Sequence, residues 1–280
     1  MKQQLEQQQS LEASKNWWHT DIIDIAPGSI RMRGYAIEDL IGRIGFPDMI
    51  WLMVRGDLPT RAQGDLFEAA LVSAVDHGPQ APSIAIARMA ATCGVGINGA
   101  MASAVNSLGD IHGGAGQQCM SLYASIASHL DNGMTLEQAA AHEVAAQLDR
   151  RIPIPGFGHR FHPVDPRSVR LLELVDKARS NNVVSGLFAQ IGRAVEDALA
   201  TAKGKRLPMN IDGATAVIYS ELGFAPELGR GLFVLSRSVG ILSHAWEQSR
   251  QGERIKGPMP RSVPYAYTGL PPRSFEGLPE

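Results

Sequence analysis

Residues 135–151, TLEQAAAHEVAAQLDRR, show most clearly which kind of secondary structure this chain uses. Apolar residues recur there at the three- and four-residue spacing of one helix face. Thr135 is a residue type that caps helix N-termini, and Thr60 is predicted to cap the helix at residues 61–77 in the same way. The stretch therefore predicts an amphipathic helix whose buried face carries Leu136, Ala139, Ala140, Val144 and Leu148.

The same helical period continues on both sides of this stretch. Residues 20–35, TDIIDIAPGSIRMRGY, are the exception, since they alternate in part and predict a strand pair at most. The fold class we predict is all-α, folded largely as a single unit, with a Pro/Gly-rich tail at residues 252–280 that wraps over a surface. The predicted helices cover residues 36–45, 46–56, 61–77, 84–93, 100–108, 136–151, 168–180, 185–203 and 226–250. One more begins after the glycine turn of residues 113–130, GGAGQQCMSLYASIASHL, and another begins near residue 210.

The composition of the 280-residue chain is that of an ordinary globular protein, with 44% hydrophobic and 19% charged residues. The formal net charge is only −2, whereas a nucleic-acid-binding surface would be basic, so no nucleic-acid partner is expected. Residues 1–15, MKQQLEQQQSLEASK, are polar and lack the apolar core of a signal peptide. We therefore expect a cytoplasmic protein with a frayed or partner-docked leader.

One uncharged segment, residues 89–109, has about the length of a transmembrane helix. It contains few large apolar side chains, however, and the glycines at 94, 96 and 99 would interrupt a single helix. We interpret it as a close-packed pair of internal helices and expect no membrane contact.

The two cysteines, Cys93 and Cys119, are too few and too far apart for a disulfide framework or a zinc site, and both are expected to be buried.

Residues 110–116, DIHGGAG, put a histidine just before a glycine turn at the predicted start of a helix. Unpaired N–H groups and the helix dipole at such a position favour an anion or a developing oxyanion. They also disfavour a protonated imidazole, so His112 is expected to be a neutral hydrogen-bond donor. The motif alone equally allows a histidine that only packs in a turn.

Residues 155–167, PGFGHRFHPVDPR, follow the helix quoted first. Their three prolines fix φ and restrict each preceding residue, so the loop is largely ordered before any ligand binds. Gly156 and Gly158 let the backbone approach a ligand closely. Arg167 offers a guanidinium fork to a carboxylate or phosphate, and His159 adds a titratable group. The alternative is a rigid corner with solvated charges.

Two charged residues occur in apolar helical contexts. Asp212, in the NIDG sequence of residues 210–213, is taken by itself as a helix cap. Arg237 needs a negatively charged partner, either a carboxylate of the protein or an anionic ligand, because its neighbours are expected to be largely buried. Those neighbours are Leu232, Phe233, Leu235, Val239, Ile241 and Leu242. The histidines show no metal-hydrolase spacing, so no metal is expected.

Taken in order, these four motifs resemble the citrate synthase superfamily. HGGAG matches the turn of its first catalytic histidine, and PGFGHRFHPVDPR matches its second histidine loop with the following arginine. NIDG matches its catalytic aspartate, and FVLSRSVGILSH matches its arginine-bearing helix. Residues 34–60 also resemble the early region of the family, so the resemblance covers nearly the whole chain.

The length of the chain is more similar to stand-alone citryl-CoA lyases, and to the citryl-CoA lyase module of ATP-citrate lyase, than to full citrate synthases. The resemblance implies cleavage of citryl-CoA, or a related 3-hydroxy-3-carboxyacyl-CoA, to acetyl-CoA and oxaloacetate or a related keto acid. The alternatives are a citrate or 2-methylcitrate synthase that also hydrolyses the thioester, and a non-catalytic acyl-CoA-binding subunit. The family's further upstream histidine has no counterpart here, which leaves the keto acid open.

The resemblance also implies a role for each site residue. His112 would stabilise the thioester oxygen, Asp212 would exchange a proton with the acetyl carbon, and His159 would exchange one with the ketone or hydroxyl oxygen. The carboxylates of the substrate would bind Arg167, Arg237 and Arg261, with Arg254 as a rival to Arg261. CoA would contact Gly113, Gly114, Pro155, Gly156, Phe157, Gly158 and Arg160. No metal or redox cofactor is implied.

The resemblance further implies a citrate synthase-like architecture in which a smaller helical domain closes over CoA. The large domain would comprise residues 1–114 and 225–280, including the tail, and the small domain residues 115–224. A homodimer or higher homo-oligomer is implied as well, because the family completes its site across an interface.

Overall fold

The computed structural model describes residues 17–275, together with Ser14 and Gly277, so the predicted leader lies almost entirely outside the described residues. α-Helices predominate within them, as predicted. The strands are β1 (Ile23–Ala26), β2 (Ser29–Met32) and β3 (Tyr35–Ala36). The helices are α1 (Ile37–Leu40), α2 (Phe46–Arg55), α3 (Arg61–Ser73), α4 (Pro82–Thr92), α5 (Ile97–Val105), α6 (Ala115–Asp131), α7 (Leu136–Asp149), α8 (Pro166–Ser180), α9 (Leu187–Lys203), α10 (Ile211–Glu221) and α11 (Gly229–Arg250), with a 3₁₀ turn at Pro226–Leu228 before α11.

The strands form a three-stranded antiparallel sheet in the order β1-β2-β3. The prediction of a strand pair at most is therefore wrong. Strand β3 pairs with β2 through a two-residue turn in which Arg33 and Gly34 both have positive φ, at 49° and 87°. Two positive φ angles match the twist that a tight hairpin needs. Arg33 is not a residue type typical of this turn, which is why the third strand was not predicted.

Both helix caps predicted from threonine are confirmed. The Thr60 hydroxyl accepts from the Gln63 N–H at 3.3 Å, and Thr135 and Gln138 repeat that contact at the start of α7. In each case the glutamine side chain also accepts from the threonine N–H, which satisfies two helix N-terminal donors at once. Helix α3 ends at Ser73, several residues before the predicted end at 77.

The chain divides into two compact units, Met1–Asp76 with Leu108–Val239, and His77–Ser107 with Gly240–Glu280. This division reflects only which residues pack together. The large and small domains that close over CoA, with boundaries at 114 and 224, stay a prediction.

Helix α10 lies at the centre of the first unit. It packs against α3, α6, α8 and α9, and nearly all its residues are buried. An aromatic cluster stabilises its C-terminal end, where the ring of Phe224 stacks on Phe67 at 5.1 Å and meets Trp51 edge-on at 5.1 Å. The C-terminal end of α10 is thereby anchored in the core, and Asp212 lies at the other end of the helix.

The second unit contains the predicted helix pair. Helices α4 and α5 pack together and are separated at Gly94, whose φ is +88°, so the predicted helix pair in residues 89–109 is confirmed. The pair is not internal as predicted, because Asn98, Ala102 and Ser103 on α5 are exposed. Among the described residues, the helices are all too short or too polar to serve as a transmembrane span. Cys93 is exposed and Cys119 buried, so the predicted burial is right for Cys119 only.

Helix α11 is less buried than predicted. Leu232 and Ile241 are buried, but Leu235, Val239 and Leu242 are 43%, 54% and 45% exposed. These three recur at four- and three-residue spacing, so they lie on one face of the helix, and of the same row only Leu232, near the start of the helix, is buried. The described tail residues that follow, 251–275, contain no helix or strand and are exposed throughout.

Candidate active site

Tight glycine packing shapes the turn that carries His112. Gly113 has a φ of +102°, and a Cβ on Gly114 would lie 2.7 Å from the Asp110 carbonyl oxygen. Helix α6 starts immediately afterwards at Ala115. Burial lowers the pKa of His112, and the positive charge of Arg237 lowers it further. The imidazole is therefore neutral at neutral pH, in agreement with the prediction.

The loop at residues 155–167 is joined to the segment before α10 by main-chain pairing. The Gly158 N–H donates to the Pro208 carbonyl at 2.8 Å, and the Asn210 N–H donates to the Gly156 carbonyl at 2.9 Å. The Asn210 side-chain amide adds a bond to the Gly158 carbonyl at 2.6 Å. The position of the second histidine loop is thus coupled to the start of the helix that carries Asp212.

Two glycines make this close approach possible. Gly156 has a φ of +84°, and a Cβ there would lie 2.8 Å from the Gly213 Cα and 2.7 Å from the Cys119 sulfur. A Cβ on Gly213 would in turn lie 2.5 Å from the Gly156 carbonyl oxygen. Larger residues would force the loop away from α10, so these glycines have a packing role beside the predicted contact of Gly156 with CoA.

The hydrogen bonds of His159 identify its tautomer. Its Nδ1 accepts from the N–H groups of Phe161 at 3.0 Å and His162 at 3.1 Å. Because Nδ1 is an acceptor, the neutral ring carries its proton on Nε2. Burial is the largest influence on the pKa of His159 and lowers it. The charge of Asp165 raises this pKa, and the charges of His162 and Arg167 lower it, so the pKa lies below its ordinary value. His159 is therefore neutral at neutral pH and is a hydrogen-bond donor at Nε2.

Asp165 was not among the predicted site residues, yet it contacts two of the site elements. One carboxylate oxygen accepts from the Arg167 N–H at 3.1 Å and from its Nε at 2.9 Å. The other accepts from Arg167 Nη2 at 2.8 Å and from the Ile211 N–H at 3.1 Å. Aspartate before a proline at a helix start is a cap signal, so the sequence contained a clue to this residue.

Asp212 is not the cap of α10, so that interpretation is wrong. The cap is Asn210, whose side-chain oxygen accepts from the N–H groups of Asp212 at 2.9 Å and Gly213 at 3.3 Å. Burial raises the pKa of Asp212, and the positive charges of Arg167 and Arg237 only partly oppose this. A carboxyl in the first turn of a helix, not used for capping and with a raised pKa, is available for proton transfer.

Arg237 is 5% exposed, as its apolar context predicts. Its Nε donates to the Ala74 carbonyl at 3.0 Å, and its guanidinium lies over the Phe233 ring, 4.9 Å from the centroid. Burial lowers its pKa, but the charges of Asp76 and Asp212 raise it, so these carboxylates are the negative partners that the sequence required. The guanidinium stays positively charged.

The remaining predicted residues differ in their surroundings. Arg160 is exposed, whereas His162 is half-buried with its ring centroid 4.6 Å from that of His159. Arg254 and Arg261 belong to the second compact unit and are exposed there. Their roles, and those of the residues predicted to contact CoA, stay predictions.

The first unit thus brings five of the predicted residues into electrostatic contact with one another or with a shared neighbour. Arg237 acts on His112 and on Asp212, and Arg167 acts on Asp212 and on His159. Two guanidinium groups can hold an anion. A neutral imidazole at a helix start can stabilise a developing oxyanion, and a carboxyl with a raised pKa can exchange a proton with carbon.

A family model described as "Citrate synthase, C-terminal domain" matches residues 15–71 and 62–258 of the chain. A curated citrate synthase of Deinococcus radiodurans is 30% identical over 207 residues, which cover 73% of this chain and 52% of that protein. The chain therefore spans about half the length of this relative.

Solved structures are similar over a larger share of the chain. A citryl-CoA lyase from Hydrogenobacter thermophilus is 33% identical with a TM-score of 0.82, covering 92% of this chain and 97% of that one. An ATP citrate lyase from Methanothrix soehngenii, solved with citrate and coenzyme A, is 25% identical with a TM-score of 0.76. That match covers 90% of this chain and 42% of the other.

Proposed function

This chain belongs to the citrate synthase family, and on that basis we propose that it cleaves citryl-CoA, or a related 3-hydroxy-3-carboxyacyl-CoA, into acetyl-CoA and a keto acid such as oxaloacetate. The observation that carries the proposal is the grouping of His112, His159 and Asp212 with two arginines in one compact unit. The match to nearly the full length of a citryl-CoA lyase favours cleavage over other reactions of the family.

In the proposed reaction, the bond between the acetyl methylene and the hydroxyl-bearing carbon breaks. The hydroxyl oxygen becomes the ketone as its proton leaves to His159, and the bonding electrons form the enolate of the thioester. His112 donates a hydrogen bond to the enolate oxygen, where negative charge develops. Asp212 then gives its proton to the methylene carbon, which yields acetyl-CoA; its raised pKa supports the presence of that proton.

The tautomer of His159 bears on the step at the oxygen. In the present arrangement Nε2 carries the ring proton, which suits a hydrogen bond to the ketone oxygen of the keto acid. To accept the hydroxyl proton at Nε2, the ring must carry its other proton on Nδ1, against the N–H groups of Phe161 and His162. The arrangement without substrate therefore suits the state in which the keto acid is bound. Both a lyase and a synthase pass through that state.

Substrate binding follows from charge. We propose that Arg167 and Arg237 hold the carboxylates, with Arg261 or Arg254 as a third cation, and that the glycine-rich segments around His112 and His159 form the CoA contacts together with Pro155, Phe157 and Arg160. The chemistry calls for no cofactor besides the CoA thioester. We also propose a cytoplasmic location, consistent with two cysteines that are both free thiols.

We further propose a homodimer as the minimum assembly. Apolar side chains remain exposed along α11, at Leu235, Val239, Leu242 and Trp246, and along the tail, at Tyr265 and Phe275 among others. Exposed apolar residues in such number are typical of surfaces that another chain covers. Sedimentation velocity of the full chain tests this directly, and a monomer at micromolar concentration would contradict it.

A synthase is the second candidate, because the curated relatives at about 30% identity are named citrate synthase. The two reactions differ in thioester hydrolysis. A lyase converts citryl-CoA to oxaloacetate without releasing thiol, whereas a synthase releases CoA thiol from acetyl-CoA plus oxaloacetate.

The deciding experiment gives the purified chain each substrate set in turn. Oxaloacetate is followed by coupled NADH oxidation, and free CoA by a thiol reagent. Oxaloacetate from citryl-CoA without thiol release is the expected result. Rapid thiol release from acetyl-CoA and oxaloacetate would replace the lyase with the synthase, and no turnover of either set would favour a non-catalytic acyl-CoA-binding subunit.

A further inference from the structure

Asp165 is a buried carboxylate of the first unit, at 1% exposure. It accepts four hydrogen bonds, three from Arg167 and one from the Ile211 N–H. Arg167 is the first-turn residue of α8 that follows Pro166, and Ile211 is the first residue of α10. One side chain thus joins an arginine proposed to bind substrate to the helix that carries Asp212.

The geometry of the pair determines which part of Arg167 faces outward. Asp165 occupies the edge of the guanidinium formed by Nε and Nη2, in the bidentate arrangement that holds the planar group in one orientation. The remaining donors, on Nη1 and the second hydrogen of Nη2, form the other edge. A substrate carboxylate could therefore bind Arg167 only through that second edge.

We infer that Asp165 is a positioning residue for the proposed reaction, which orients Arg167 toward the substrate carboxylate and holds it in register with Asp212. The inference rests on the proposed function, because it assigns a purpose to the orientation of Arg167. It goes beyond helix capping, which Asp165 also performs by accepting from the Arg167 N–H. Asparagine and serine cap helices about as well as aspartate, so substitution can separate the two roles.

The charge of Asp165 is consistent with this role. Burial works against its ionisation, but the hydrogen bonds and the charge of Arg167 outweigh burial and leave its pKa below the ordinary value. The carboxylate is therefore ionised across the neutral range and holds Arg167 through a charge-assisted contact.

The test uses Asp165→Asn and Asp165→Ser in the full-length chain, both of which keep a capping group. We expect the KM for citryl-CoA to rise about 10- to 100-fold in each, the size of a lost hydrogen bond between charged groups, with a smaller change in kcat. Asp176→Asn is the matched control, because it breaks an exposed aspartate–arginine pair with Arg193 on α8 and α9. That control should change the KM less than twofold.

A double variant shows whether Asp165 acts through Arg167. In an Arg167→Gln background, adding Asp165→Asn should change the KM less than twofold, because the group being positioned is already absent. A wild-type KM in both Asp165 variants would overturn the inference. So would effects of Asp165→Asn and Arg167→Gln that simply add, since Asp165 would then act independently of Arg167.

A measurement without turnover separates this inference from the proposed function. In NMR spectra of the wild type, the Arg167 Nε–H signal, assigned by its loss in Arg167→Lys, should exchange with water at least tenfold more slowly than that of exposed Arg193. Equal exchange rates would overturn the inference even if both Asp165 variants failed to fold. Slow exchange in a protein that does not act on citryl-CoA would leave the orientation of Arg167 standing and remove the proposed reaction.

Discussion

The loop at residues 155–167 and the tail at residues 251–275 have similar compositions, both rich in proline, glycine and arginine, but their structures differ. The loop pairs through its main chain with residues 208–210 and carries the buried Asp165–Arg167 pair. In the tail, the N–H groups of Ile255 and Lys256 bond to Thr92, and the side chains from 257 to 275 are exposed.

Proline and glycine therefore do not by themselves decide whether a segment holds functional groups in place. Prolines limit the conformations of both segments. In the loop, backbone donors and acceptors pair in both directions with residues 208–210, and a buried carboxylate holds the arginine, whereas the tail contacts described above reach Thr92 from Ile255 and Lys256 alone. A segment of this kind can pre-organise a site without ligand, whereas the arginines of the tail would need a further surface to be ordered.

Replacing Asp212 tests whether the ordered region is catalytic. Asp212→Asn should lower turnover about 10²- to 10⁴-fold, the contribution of a positioned proton donor, while leaving CoA binding nearly unchanged. The same variant should be more stable than the wild type at neutral pH. Burial raises the pKa of Asp212, so ionising it in the folded state costs stability as the pH rises. Turnover is measured with citryl-CoA, and stability by urea unfolding.

A mild loss of turnover in Asp212→Asn would refute the role given to the carboxyl. In that case the order of the loop would serve packing or binding and not proton transfer. Loss of CoA binding together with turnover would instead indicate that the substitution had disturbed the start of α10.

The next prediction compares one glycine from each region. Gly156→Ala should lower the free energy of unfolding by about 2–4 kcal/mol, since the new Cβ meets Gly213 and Cys119 at a positive φ. Gly252→Ala, at the start of the tail, has a similar φ of +75° but open space around it. It should cost only about 1–2 kcal/mol. Equal losses in urea unfolding would mean that the loop moves away from α10 without strain.

Much of this architecture follows from sequence pattern. Thr60 and Thr135 have a local signature that decides helix starts, and the order of the four motifs indicated the family. Exposure along α11 did not follow, because Leu235 and Val239 look like core residues unless the face they occupy is known. The hydrogen bond from the Ile211 N–H to Asp165 was not predictable either, since these two residues are 46 positions apart in sequence.

A third prediction compares arginines from the two regions. Arg167→Ala should raise the KM for citryl-CoA about 10- to 100-fold, because an ordered charge-assisted contact with a carboxylate is lost. Arg261→Ala and Arg254→Ala should raise this KM less. If one of these arginines reaches a neighbouring copy of the chain, only the effect of its substitution on the KM should depend on protein concentration. Steady-state kinetics at two protein concentrations decide this. A larger effect at Arg261 than at Arg167 would reverse the comparison.

The smallest expected effect concerns the pH dependence of stability in the ordered loop. Burial lowers the pKa of His159, so the unfolded chain binds a proton there more readily than the folded protein does. Stability should therefore fall as the pH decreases through about 6.5, with a slope of at most about 1.4 kcal/mol per pH unit for one proton.

His159→Asn keeps an acceptor for the Phe161 and His162 N–H groups and removes the titration. Urea unfolding should then show a flatter decline between pH 7 and pH 5 in the variant, with parallel behaviour above pH 8, where the imidazole is neutral in both states. An unchanged slope would mean that the loop opens before His159 is protonated, and that its order is less independent of ligand than the main-chain pairing with residues 208–210 indicates.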